Sequence, residues 1–377
     1  MEISSQKYSA TLCITDKCNL NCIYCYQKKH ANNSMTFNTA KTVIDEIFYH
    51  APNNLDEIVL HFIGGEPLVE FDLIKEIFEY VLSKKRKEKC IFFATTNGTL
   101  LSEEMKEWFS TRKINFILGL SIDGAKDSQN YNRSNSFNKI DIDFFVQNWP
   151  FQGIKMTISE YSLPFLAENI KFLHSCGFKK ITGVNFCEGE LDWNGEKYIQ
   201  LLAVQLKELV DFYIENDSLE LNQMLDKRLE ICESKIERRK RCGIGTNNFY
   251  YIDGKIYPCS FVTPMTFNQD ELSEVLQTDF SNHENFIDEN CFENCYIFPI
   301  CSSGCLAANY LNIKSFKERD KRCCRSQKIT SLFVAEIQSR RIIKNPKMYD
   351  NATMYHTIEA IKTIRSLYLP EFEKYLI

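Results

Sequence analysis

In the first half of the chain, short β-prone runs alternate with segments whose apolar residues recur at helical spacing. Six runs read as strands: Tyr8 to Thr15, Glu57 to Ile63, Cys90 to Thr95, Asn115 to Ile122, Ile154 to Ser159 and Lys180 to Phe186. Each is followed by a helical pattern, and this order predicts parallel strands joined by crossover helices. The clearest helix is expected over Asn38 to His50, where Val43, Ile44, Ile47 and Phe48 share a face and Asn38 or Thr39 can cap the start. Trp193 to about Lys240 is helical in pattern and charged, and it reads as a bridge. Beyond Arg325, the spacing of Ile329, Leu332, Phe333 and Ile337 predicts a helical tail, expected to cover one side of the barrel or of the cysteine-rich domain. The expected division is 1–190 for the strand and helix units, 191–240 for the bridge, 241–325 for a cysteine-rich domain and 326–377 for the tail.

The unusual residues fall at strand ends. Gly64, Gly65, Glu66 and Pro67 follow the second strand, Thr95 to Thr99 the third, and Ser121, Ile122, Asp123 and Gly124 the fourth. In barrel-like α/β folds ligand-binding loops collect at that rim. After the first strand come Cys18, Cys22 and Cys25, with x3 and x2 spacing. Four thiolates close a four-iron cluster, so three from one loop leave one iron open, as a catalytic zinc keeps one position free. A zinc knuckle or a group of buried cysteines is the plainer alternative. Cysteines resume with Cys242, Gly254 and Cys259, then Cys291, Cys295, Cys301, Cys305 and the pair Cys323 and Cys324. Asp253 and Gly254 between β-prone residues predict a hairpin there, and a zinc ribbon is the alternative for this half. Cys13, Cys90, Cys176 and Cys187 read as core residues, and His61 as a satisfied core histidine.

The first loop resembles the signature of the radical S-adenosylmethionine (SAM) superfamily, Cys-x3-Cys-x-aromatic-Cys, with Tyr24 in the aromatic slot. The resemblance implies a partial (β/α)6 TIM-type barrel of the α/β class and an open iron that binds the amino and carboxylate groups of SAM. It places Gly64, Gly65 and Glu66 against the methionine amino group, and Ser121 and Asp123 at the carboxylate and ribose; Asn97 and Arg133 join the cofactor-binding set. Related enzymes often carry a His-Asp pair before the arginine, but here those positions are Gln129 and Asn130. The second cysteine set resembles the SPASM extension, departing from it in the x3 spacing between Cys291 and Cys295. By that resemblance one auxiliary four-iron cluster takes Cys242, Cys259, Cys305 and Cys232. The other takes Cys291, Cys295, Cys301 and either Cys323 or Cys324.

Composition narrows the partners. At 377 residues and 44% hydrophobic the chain can bury a full core. A net charge of -5 gives no reason to expect nucleic acid or a membrane surface. No apolar run spans a bilayer and no signal-peptide core opens the chain, so a cytoplasmic enzyme is expected. Sixteen cysteines in such a protein point to metal rather than disulfides.

The resemblance implies a maturase of a ribosomally made peptide, forming a crosslink or another C–H functionalisation, with a reductant such as ferredoxin or flavodoxin. The runner-up is an anaerobic sulfatase-type maturase that forms formylglycine. That group carries an Asp base after the Gly-x4-Cys element, where this chain has Ser260, and a serine hydroxyl cannot take a proton near neutral pH without a partner base. A non-enzymatic iron-sulfur or zinc scaffold is the third reading. About seven residues precede the first strand, which leaves no room for a fused leader-binding domain. Recognition is therefore expected from a separate leader-recognition protein, an accessory chain, or the core and tail surfaces.

Overall fold

All six predicted strands form, and all run parallel. The computed structural model describes residues 7–28, 31–85, 87–187, 191–233, 237–246, 248–301 and 304–376. The strands are β1 (Lys7–Thr15), β2 (Glu57–Gly64), β3 (Cys90–Thr96), β4 (Phe116–Leu120), β5 (Ile154–Ile158) and β6 (Ile181–Phe186). The helices that follow them are α1 (Phe37–His50), α2 (Phe71–Leu82), α3 (Glu103–Arg112), α4 (Lys126–Asn132), α5 (Ile142–Asn148) and α6 (Leu166–Ser175), with α4 and α5 both between β4 and β5. Neighbours pair in sequence order from β1 to β4 and again from β5 to β6, and a single parallel bridge, Ser121 to Lys155, links the two sheets. This is the expected partial barrel, with its loosest seam between β4 and β5.

Outward-facing apolar residues explain the wall. Phe62, Phe92 and Phe116 are fully buried and stack from three adjacent strands, with Phe78 of α2 against them. Each such ring contributes about 1.5–3 kcal/mol on leaving water. Helix α1 starts where its pattern says, but Thr36 is the cap, its hydroxyl accepting from the Thr39 amide, rather than Asn38 or Thr39.

The second half departs from the expected plan in two places. Among its described residues the bridge is α-helical only as α7 (Glu196–Glu215), and those beyond it are irregular apart from short turns such as Leu229–Cys232. The predicted hairpin forms as β7 (Asn248–Tyr250) and β8 (Ile256–Tyr257), and Gly254 takes the positive φ of +81° its turn needs. Yet β7 also pairs in parallel with β1, Ala10 opposite Asn248, so the cysteine-rich part extends the barrel sheet. Helices α8 (Gln269–Val275), α9 (Glu289–Asn294) and α10 (Leu306–Ile313) complete it around a core of Phe249, Phe261, Phe286, Tyr310 and Phe316.

The tail forms α11 (Cys324–Lys344) and α12 (Asn351–Leu376), and it covers α7 rather than the bare barrel. Ser326 Oγ donates to the Trp193 carbonyl at 2.7 Å and Arg340 pairs with Asp211 at 2.5 Å. Among the described residues no helix is long and apolar enough to cross a membrane.

Candidate active site

The cysteine loop is pinned at both ends. Buried Asp16 accepts from the amides of Ala31 at 3.2 Å and Asn33 at 2.8 Å, which closes the loop on its own stem. The end of β2 then lies directly on the loop's entry: Gly65 N donates to Thr15 O at 3.0 Å and Glu66 N to Lys17 O at 2.8 Å. A Cβ on Gly64 would sit 2.3 Å from the Thr15 carbonyl oxygen, and one on Gly65 2.4 Å from that of Lys17. The glycines were expected to let backbone approach a ligand; in the structure they let β2 approach the cysteine loop. Asn97 adds a third strand end, its amide donating to Asn19 Oδ1 at 2.9 Å.

Glu66 is buried behind this seam. Its carboxylate accepts from Leu68 N at 3.1 Å, Thr96 Oγ1 at 2.7 Å and Asn97 N at 2.8 Å. Burial pushes it up to about 7, against those three hydrogen bonds. A carboxylate offers about four lone-pair sites, so one stays open toward the cavity that Glu66 lines.

Arg133 and Tyr24 meet at Asp123. Arg133 Nη2 donates to Asp123 Oδ1 at 3.0 Å, as does Thr157 N at 2.9 Å; Tyr24 Oη and Asn132 Nδ2, the latter at 3.1 Å, donate to Oδ2. Asp123 was expected to meet SAM itself. It is instead off the cavity wall with its acceptor sites filled, and it acts by fixing Arg133 and Tyr24. Burial works against the Arg133 charge, but Asp123, Tyr24 and Cys22 together outweigh it and hold the guanidinium protonated. Its Nε is buried without a partner, and its guanidinium lies 5.4 Å from the Tyr24 ring centre. Gln129 and Asn130 are structural here: Gln129 Oε1 accepts from Asp123 N at 2.8 Å and Asn130 Oδ1 from Phe137 N at 3.0 Å.

The later cysteines form two neighbourhoods. Cys259 and Cys305 line the same cavity as Cys18, Cys22 and Cys25, and the Cys259 thiol is pushed up by burial, with Cys242 adding to it. Cys291 is pushed up to about 12 by burial, then by Asp288, Cys324, Cys295 and Cys301; Cys324 rises to about 11 by burial, then by Cys301 and Cys295. Cys324 thus lies near this second group. Cys232 was expected with Cys242, but its thiol, pushed to about 12 by burial, feels Glu233 and Cys295. It lies on the side of the second group.

A cavity of about 830 Å³ joins these parts. Its wall holds the three loop thiols, Tyr24, Gly64, Gly65, Glu66, Asn97, Ser121 and Arg133, together with Cys259, Ser260 and Cys305. Tyr26 bridges the two halves: its ring stacks on Phe261 with centroids 4.3 Å apart, and its hydroxyl bonds the Ser260 side chain. His61 and Cys187, read as core residues, also line the cavity. The His61 ring hydrogen-bonds Thr95 Oγ1 at 2.9 Å, and burial, then Lys155, push it down to about 3, so it is a neutral imidazole.

Residues 12–149 match the model of the radical SAM superfamily. The chain carries a radical SAM domain. An uncharacterized protein of Methanocaldococcus jannaschii is 27% identical over 81% of this chain and 96% of its own length. A cysteine-type anaerobic sulfatase-maturating enzyme of Clostridium novyi is 24% identical over 77% of this chain and 85% of its own. Among solved structures, native anSMEcpe with bound AdoMet and Cp18Cys peptide superposes with a TM-score of 0.66 at 23% identity, covering 90% of this chain and 98% of that one. Streptococcus suis SuiB bound to precursor peptide SuiA gives 0.57 at 15%, covering 85% and 76%. The likeness establishes the fold.

Radical SAM enzymes use a four-iron cluster and SAM, and the residues present fit both. Three thiols share a wall with a buried guanidinium nitrogen that lacks a partner and a carboxylate with one acceptor site free. Burial pushes the Cys22 thiol up to about 11, whereas a coordinated thiol is deprotonated outright. Among the described residues no three His, Cys, Asp or Glu side chains converge as a single metal ion requires; a four-iron cluster spreads its thiolates over separate irons and needs no such convergence.

Proposed function

We propose that this radical SAM enzyme is a maturase that takes a hydrogen atom from a side-chain or α carbon of a peptide, leading to a crosslink or another C–H functionalisation. The observation that carries the reading is the shared cavity, where the loop thiols and Cys259 and Cys305 of the cysteine-rich part face the same space. Its volume falls in the range of ligand sites. With cluster and SAM bound, the chemistry supplied is one-electron cleavage of SAM to a 5'-deoxyadenosyl radical.

The chain's own residues bind and orient. Cys18, Cys22 and Cys25 hold the cluster, Glu66 accepts from the SAM ammonium, and Arg133 holds its carboxylate, with Asn97 and Ser121 on the same wall. Cys242, Cys259 and Cys305 hold one auxiliary cluster, and Cys291, Cys295, Cys301 and Cys324 the other, with Cys232 beside the second set rather than in the first. We place the enzyme in the cytoplasm, served by a ferredoxin- or flavodoxin-type reductant and, for substrate delivery, a separate leader-recognition protein.

The second reading, formylglycine formation in a sulfatase, is favoured by the 24% identity to the Clostridium novyi enzyme. Against it, Ser260 occupies the expected base position with its side chain bonded to Tyr26, and among the described residues that line the cavity beside it the one carboxylate, Glu66, is engaged by Leu68, Thr96 and Asn97. The test is anaerobic co-expression with the nearest encoded short peptide and, separately, with a sulfatase. The expected result is a loss of about two hydrogens or a defined crosslink mass in the peptide. Formylglycine in the sulfatase beside an untouched peptide would instead establish the second reading.

A further inference from the structure

A parallel strand enclosed on both faces is expected to be apolar on both, and β5 breaks that rule toward the cavity. Ile154, Met156 and Ile158 are buried in the wall, while Lys155 and Thr157 line the cavity. The pairing of β5 with β6 shifts register between Ile154 and Lys155, and such irregularities near sites re-aim side chains. Opposite Lys155 stands Gly183, where a Cβ would lie 3.0 Å from both Cα and Cγ of the lysine. The glycine makes room for the lysine stem. Asn185 of β6, paired with Thr157, also lines the cavity.

Lys155 is enclosed by the barrel yet exposed, because what it faces is the cavity. Among the described residues no side chain hydrogen-bonds or ion-pairs its ammonium. The nearby charge is Arg133, itself a cation, and burial followed by Arg133 pushes the Lys155 ammonium down from its ordinary value. Among the described residues that line the cavity, Glu66 is the only carboxylate, and the Arg133 charge is answered by Asp123. Among the described residues no anion at this corner answers the Lys155 charge, and a cation enclosed by the barrel gains from a counter-charge. An ammonium, a side-chain amide and a hydroxyl together form a donor set for a carboxylate. Thr157 N also donates to Asp123 Oδ1, which sets this corner beside the Tyr24 and Arg133 network.

We propose that Lys155, Asn185 and Thr157 form a substrate subsite that binds a peptide carboxylate, from an acidic side chain or from the chain end. The proposal rests on the peptide reading above and adds the substrate's charge to it. The test uses full-length protein, anaerobically reconstituted and saturated with SAM, and fluorescein-labelled hexapeptide probes read by anisotropy. One probe carries a single Asp with an amidated end, one carries Asn in its place, and one has no acidic side chain but a free C-terminal carboxylate. Wild type is expected to bind one of the two carboxylate probes at least tenfold more tightly than the neutral one, and which one wins identifies the source. Lys155→Met should erase that difference. Gly183→Ala, which crowds the lysine stem and keeps the charge, should reduce it.

Equal binding of acidic and neutral probes, or a preference that survives Lys155→Met, overturns the subsite while leaving the peptide reading in place. A loss of acidic-probe affinity matched by an equal loss of SAM affinity assigns Lys155 to SAM and also overturns it. Binding of no probe by any form overturns both readings.

Discussion

Replacing Cys18, Cys22 and Cys25 together with alanine is expected to abolish 5'-deoxyadenosine formation from SAM under dithionite. The same variant should lose about four of about twelve irons per chain, by four-iron stoichiometry. The three thiols lie on one loop whose ends are fixed by Asp16 and by the close approach of Gly64 and Gly65, so alanine removes ligands without removing the loop's anchors. The later cysteines belong to other elements and should keep their irons. Chromatography of the nucleoside and iron analysis on one preparation read both effects. Undiminished 5'-deoxyadenosine, or loss of all iron, would contradict the separation of ligand sets.

The largest stability effect is expected at a residue that holds no cofactor. Asp123→Ala should destabilise the protein by about 3–5 kcal/mol, the cost of leaving the other partner of a buried ion pair uncompensated. The Arg133 guanidinium, the Tyr24 hydroxyl, the Asn132 amide and the Thr157 N–H all donate to that one carboxylate. Asp123→Asn, which keeps acceptor capacity but not charge, should cost less. Thermal unfolding of the cluster-free protein compares the two, and a midpoint for Asp123→Ala within a degree of wild type would show that the network is not what holds this corner.

The strands were legible because their outward positions are apolar and buried against the helices, so runs such as Ile58 to Phe62 and Phe92 to Ala94 stand out. The glycine–glutamate turn and the three-cysteine loop were legible as chemistry, but their contact was not. Only backbone geometry shows that Gly64 and Gly65 meet Thr15 and Lys17. The pairing of β7 with β1 joins residues as far apart in sequence as Ala10 and Asn248, which no local pattern encodes. Cys232, expected with Cys242 from its place in the sequence, has Glu233 and Cys295 among its nearby groups in the structure, a proximity no local pattern encodes.

The cavity lining was the largest omission, although a signal existed. His61, Lys155, Thr157 and Asn185 are polar residues within otherwise apolar strands, and all line the cavity. A filled barrel core would have had branched apolar residues there. Polar residues at those positions mark a barrel interior that holds a ligand.

Hydrogen transfer tests the central claim most directly. The co-expressed short peptide is prepared with deuterium on its side-chain and α carbons, incubated with reconstituted enzyme, SAM and dithionite, and the 5'-deoxyadenosine is weighed by mass spectrometry. The account predicts 5'-deoxyadenosine one mass unit heavier, carrying one deuterium, in step with the change in peptide mass. Unlabelled 5'-deoxyadenosine together with an unchanged peptide would contradict it.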